Sequence, residues 1–112
     1  MAYDEELAAR IRALLAERPG VGEQAMFGGL AFLVGGNMAV AASGQGGVLV
    51  RVDPEESDAL VASTTAYPME MRGRSMAGWL RVDPVHVSDQ AALSGWVDRG
   101  YGYASSLPPK QR

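Results

Sequence analysis

Apolar residues near the amino terminus recur with a helical period. Leu7, Ile11, Leu14 and Leu15 fall at i, i+4, i+7 and i+8, one face at 3.6 residues per turn. That spacing predicts a helix over residues 4–17. Asp4, Glu5 and Glu6 stand in or before its first turn, where the helix dipole favours acids, and Pro19-Gly20 ends it. A period of two follows. Leu30, Phe32 and Val34 point one way, Ala31 and Leu33 the other. Gly35-Gly36-Asn37 supplies a hairpin turn, because these residues tolerate positive φ. Met38, Val40 and Ala42 continue beyond it, SGQGG at 43–47 turns the chain again, and Val48, Val50 and Val52 alternate once more. The pattern predicts a three-stranded antiparallel meander, with room for a short strand before Phe27.

The tetrapeptide RVDP occurs at 51–54 and again at 81–84. In the first copy a strand gives way to a helix: Asp53 is the expected N-cap, Pro54 the first helical residue and Glu56 the acid of a capping box. The second copy follows the strand GWLRV at 78–82, and Ser88 is the expected cap of a longer helix. Leu93, Trp96, Val97, Gly100, Ala104 and Leu107 lie near one stripe of that helix. Its glycines lower helix propensity by up to ~1 kcal/mol each, which is tolerable if Gly100 lets the helix lie close against the sheet. Pro108-Pro109 stops it. The repeat reads as convergent strand-exit chemistry and not as a duplication. The whole pattern is α+β, an antiparallel sheet of four to five strands packed in two layers with about three helices. If the valines and the Leu80/Val82 pair face the helices, Leu33, Leu49, Arg51, Trp79 and Arg81 share the other sheet face. So few helices leave that face uncovered, an unusual monomer surface whose simplest use is self-association. Leu33, Leu49, Arg51 and Trp79 are the expected dimer contacts.

The bulk numbers narrow the function classes. At 112 residues the chain is one domain by length, residues 1–112, and its apolar fraction of 47% is that of a globular protein. It has no cysteine and one histidine, which excludes disulfides and thiolate metal sites and leaves a zinc site to be built almost wholly from carboxylates, an uncommon ligand set. No metal or cofactor is expected. No apolar run approaches the ~20 residues of a membrane span, and no charged-then-apolar leader opens the chain. The expectation is a soluble cytoplasmic protein. A net charge of −3 gives no global attraction to nucleic acid. The charge is unevenly spread, however: residues 53–58 hold four acids, and Arg72, Arg74 and Arg81 occupy 72–81 without an acid. Arg99, Lys110 and Arg112 follow the last acid, Asp98.

Two Gly-Gly pairs in MFGGLAFLVGGNMAV, residues 26–40, invite comparison with phosphate loops. Neither G-x-G-x-x-G nor G-x-x-x-x-G-K-[ST] is present, and no helix follows these glycines. They turn corners. His86 has no orienting partner at fixed spacing, and no serine sits in a G-x-S-x-G elbow. No catalytic residue is expected. YPMEMRGRSMAGWLR, residues 67–81, is the most distinctive remaining stretch. Arg72, Arg74 and Arg81 with Trp79 could form a small basic patch with an aromatic platform for nucleic acid or an acidic partner. The alternative is a solvated turn. Met69, Met71 and Met76 read as core or interface filler, and Glu70 as pointing away from a strand whose methionines point in.

MFGGLAFLVGGNMAV, GVLVRV, YPMEMRGRSMAGWLRVDP and WVDRGYGYASSLPPK, in this order and spacing, resemble the N-terminal domain of the TfoX (Sxy) family, bacterial proteins named for a regulator of natural competence. The resemblance covers about residues 21–110. It implies an α+β domain similar to secretion-chaperone-like folds, which often pair through sheets or helices, and it carries no catalytic residues. Full-length regulators of the family have a second, C-terminal domain, and the expectation here is the N-terminal domain alone. The leading expectation is therefore a non-enzymatic regulatory interaction module, homodimeric, contacting a protein or DNA. A small-molecule binder or enzyme with a pocket around Glu70, Trp79 and His86 is one alternative. A chaperone-like holder of a partner segment by strand addition is another.

Overall fold

A computed structural model describes residues 3–26 and 28–109. Phe27, and the basic Lys110 and Arg112 of the tail, lie outside the described residues. Helix α1 spans Glu5–Leu15. Asp4 caps it, its carboxylate accepting from the backbone N–H of Glu6 at 2.9 Å and of Leu7 at 3.1 Å, which satisfies two donors that helix geometry leaves unpaired. Leu7, Ile11 and Leu15 are buried along the stripe that their spacing predicts.

Three strands follow: β1 (Val21–Met26), β2 (Gly29–Val34) and β3 (Asn37–Ala42). The β2–β3 turn is Gly35-Gly36, with φ of +58° and +85° and Val34 paired to Asn37. That is the two-residue hairpin whose handedness matches the strand twist. Strand β4 (Val48–Arg51) returns alongside β3, and the chain then leaves the sheet at the first RVDP. Asp53 accepts from Glu55 N–H at 2.9 Å and opens a short 3-10 turn at Pro54–Glu56 that runs into helix α2, Ser57–Ser63. Glu56 pairs with Arg99 at 3.2 Å.

Strand β5 (Tyr67–Met71) and strand β6 (Arg74–Val82) form the last hairpin. After a second 3-10 turn at Pro84–Val87, helix α3 covers Gln90–Ser106. Its cap is Asp89, which accepts from Ala92 N–H at 3.1 Å. The expected cap, Ser88, instead turns its hydroxyl back to donate to the Val85 carbonyl. The sheet is antiparallel throughout with order β1-β2-β3-β4-β6-β5, six strands where four to five were expected. The short strand allowed before Phe27 is present as β1, and the strand beyond the expected count is the other edge, β5. Between its end residues β1 is exposed on both faces, so Gly22 to Ala25 carry no apolar alternation to read.

The helices cover one sheet face. Phe32, Val40, Val48, Val50, Leu80 and Val82 are buried there with Ile11, Leu93 and Val97. Helix α3 comes down onto β3 at Gly100, where a Cβ would stand 2.4 Å from the Ala39 carbonyl oxygen. The expectation of a close approach at this glycine holds. Beyond the helix the chain turns back, and the Asn37 side-chain amide donates to the Pro108 carbonyl at 2.9 Å.

Candidate functional site

The opposite sheet face carries its own apolar cluster: Ala31, Met38, Ala41, Leu49 and Met69, flanked by Met26, Leu33 and Trp79. No described helix packs on this cluster, yet its members are buried. Curvature is the reason. Met26 on β1 and Met69 to Met71 on β5 belong to opposite edges of the sheet, yet they line one cavity of about 220 Å³. In a flat sheet, five strand spacings would part the edges by about 24 Å. The sheet therefore curls into a trough. Between Pro68 and Glu70 the β5–β6 register shifts, and Gly78, in the longer arm of that irregularity, donates its N–H to Ser57 Oγ. This bends β6 and brings β5 round.

Leu33, Leu49, Arg51 and Trp79 do share this face, but not as an exposed patch. Leu49 is only 6% exposed, forming the trough floor instead of meeting solvent. Leu33 and Trp79 remain half-buried at its flanks. Arg51 reaches over Trp79, its guanidinium carbon 5.0 Å from the indole and 5.7 Å from the Tyr103 ring, within cation–π range of both.

The proposed basic patch divides. Arg72 and Gly73 form the two-residue turn of the β5–β6 hairpin, at φ of +56° and +78°, with Met71 paired to Arg74. Arg72 and Arg74 are exposed there, and neither makes an ion pair with a described residue. Arg81 lies at the other end of β6, opposite Leu49 and Tyr67. Its Nη1 donates to Ser43 Oγ at 2.9 Å, and both residues line the trough. Trp79 stays with Arg51 in the sheet, away from the hairpin turn.

Glu70, Trp79 and His86 do not form one pocket. Glu70 is exposed at the β5 rim of the trough. His86 lies in the helical layer, on a shallow depression shared with Leu60, Thr64, Trp96 and Arg99. Trp79 lines neither depression. The expectation fails because Glu70 and His86 occupy opposite layers of the fold.

The main structural feature that the sequence reading missed is the methionine lining. Met69 and Met71 were read as filler without a shared destination, Met26 had no assigned role, and Met38 was read in line with Val40 and Ala42. The β2–β3 register shifts between Phe32 and Leu33, which puts Met38 opposite Leu33 on the face away from Val40, and the alternation of the sequence gives no sign of that shift.

Electrostatics pin the periphery more than the trough. Arg12 meets Glu23 through Nε–Oε2 at 2.6 Å, tying α1 to edge strand β1. The hydrogen bond and charge of Arg12 hold the Glu23 carboxyl below its ordinary range. The Tyr67 hydroxyl donates to Asp83 at 2.7 Å, which pushes its pKa up. Arg18 pairs with Asp98 and stacks 4.8 Å from the Tyr101 ring. Among the described residues no group of three or more His, Asp or Glu side chains could hold a metal ion, and no helix is long and apolar enough to cross a membrane.

No curated protein sequence matches the chain significantly. A family model described as the TfoX N-terminal domain matches residues 13–104. The match runs from α1 through most of α3 and takes in both the curled sheet and the arginine hairpin, so the chain belongs to the TfoX N-terminal domain family.

Proposed function

We propose that this domain is a non-enzymatic regulatory module that acts by contacting DNA or a partner protein, with the β5–β6 hairpin as its contact element. The supporting observation is the pair Arg72 and Arg74, exposed on a tight turn and making no ion pair with a described residue. Arg72 holds a left-handed backbone, a conformation that is uncommon outside glycine, asparagine and aspartate. A solvated turn has no need of arginine at such a position. Membership of the TfoX N-terminal domain family agrees with a regulatory role.

With Arg81 bonded to Ser43 at the far end of β6, two phosphate contacts are expected and not three. The log–log salt dependence of duplex binding should then have a slope of about −1.8, at −0.9 per phosphate. Fluorescence anisotropy of labelled DNA across a salt series measures it, beside an Arg72→Ala/Arg74→Ala variant. Binding that steepens at low salt and disappears in the variant supports the DNA form. Flat traces for both proteins would leave only the protein-partner form, which an affinity pull-down with the same variant as control would test.

A second reading is self-association across the trough face. It rests on Leu33 and Trp79, half-exposed beside a cluster that no described helix covers. The dimer would be isologous, with Leu33, Trp79 and Arg51 at the contact and Leu49 beneath it. Light scattering against concentration tests it, and a monomer at the highest concentration reached would sink it.

A further inference from the structure

The trough has one cationic side chain that its structural role does not use. Arg81 sits half-buried in a lining that joins four methionines, Leu49 and alanines to the polar Ser43, Gln45 and Glu70. It makes a single side-chain hydrogen bond, to Ser43, and no ion pair with a described residue. Ser43 is itself buried, and its Oγ also accepts from the Gln45 N–H at 3.1 Å. The guanidinium is therefore held in place by a neutral acceptor that cannot neutralise it. Its remaining N–H donors are available to an anion, and the fork geometry suits a carboxylate.

The size of the cavity selects the rest of the occupant. A cavity of ~150 Å³ holds benzene, and drug-sized sites begin near ~300 Å³. At about 220 Å³ the trough lies between these. A helix ~10–12 Å across is too large for it. Four methionines, Met26, Met38, Met69 and Met71, supply flexible, polarisable walls that adapt to unbranched chains. The one acid at the rim, Glu70, is on β5, so the anionic end is directed to Arg81.

We propose that the trough binds a free medium-chain aliphatic carboxylate, its chain of about six to ten carbons among the four methionines and its carboxylate on Arg81. No covalent step is involved. The inference does not depend on the hairpin reading, and either can fail without the other.

The test uses the full chain with ¹³C-methyl methionine and octanoate as the probe. The methyl signals of Met26, Met38, Met69 and Met71 should shift saturably, while Met76, which does not line the trough, stays fixed. Octan-1-ol should bind more weakly than octanoate, and octylammonium more weakly still. Arg81→Gln should weaken octanoate about tenfold or more, in keeping with the loss of a charge-assisted hydrogen bond, and leave octanol within about twofold of wild type. Thermal melting confirms that the variant is folded, and the wild-type probe series stands by itself if it is not. Equal binding of octanoate and octanol would overturn the proposal, as would shifts that include Met76 or no saturable shift at all. Methyl shifts that follow protein concentration without any probe would overturn it in favour of a second copy as the occupant.

Discussion

The two faces of this sheet are built from the same strands and solve burial in different ways. Beneath the helices, Phe32, Val40, Val48, Val50 and Val82 are essentially inaccessible. These are branched or rigid side chains with few rotamers, held by rigid elements above them. Across the sheet, Met38, Leu49 and Met69 are buried to between 91 and 94% by the curl of their own strands. A cavity remains between them. Close packing fixes the fold on the first face. On the second, flexible side chains and a gap leave a surface able to accept something.

The largest test of that contrast is a pair of truncations. Phe32→Ala should cost about 3–5 kcal/mol, because the helical layer cannot collapse into the void. Met38→Ala should cost about 2 kcal/mol, the low end for this change, because its neighbours already border empty space. Chemical denaturation of both variants measures the difference. Equal losses would mean that the two faces form one rigid core.

A smaller effect sharpens the account of the helical face through the glycines of α3. At Gly100 a methyl group meets the Ala39 carbonyl, so Gly100→Ala should destabilise by about 1–2 kcal/mol net of the helix propensity it gains. A Cβ at Gly95 or Gly102 has nothing within 4 Å, and alanine there should stabilise by up to about 1 kcal/mol. The same sign at all three positions would show that α3 is not seated on β3 at Gly100.

The smallest effect concerns the edge. Glu23 titrates below its ordinary value of 4.5 because Arg12 binds its carboxylate. A depressed acid contributes stability above the unfolded pKa and loses it as pH falls through the folded one. Arg12→Ala should therefore lower the melting temperature slightly at neutral pH and by less as the pH falls through the folded pKa of Glu23, with the neutral-pH difference shrinking in high salt. A difference undiminished as the pH falls would show that Arg12 acts through packing.

Features specified by neighbouring residues were legible in the sequence. Helix α1 declares itself by its leucine and isoleucine spacing, the β2–β3 turn by paired glycines, and the start of the 3-10 turn into α2 by Asp53-Pro54. Gly100 was readable as a close approach because no other role explains a glycine on a buried stripe. What escaped depends on curvature. Alternation assigns Leu49 to the second face but cannot say that this face closes on itself. The register shift opposite Pro68 and Glu70, which brings β5 round, leaves no periodic trace. The three arginines are close in sequence, yet a strand running away from the turn separates Arg81 from the other two. Proximity along an extended segment is a poor guide to proximity in space.

The hydrogen bond from Asn37 to Pro108 joins residues 71 apart in the chain, and α3 closes over β3 across a similar interval. At ~5–20 residues per second, a ribosome needs about 4–14 seconds to supply the second partner after the first. The β2–β3 hairpin can form at once, but its valine face must wait for the helix that covers it. Until α3 emerges, nascent chains thus carry a β2–β3 sheet face that only α1 can cover. The window in which they are vulnerable to misassociation is set by translation speed and not by the stability of the finished fold.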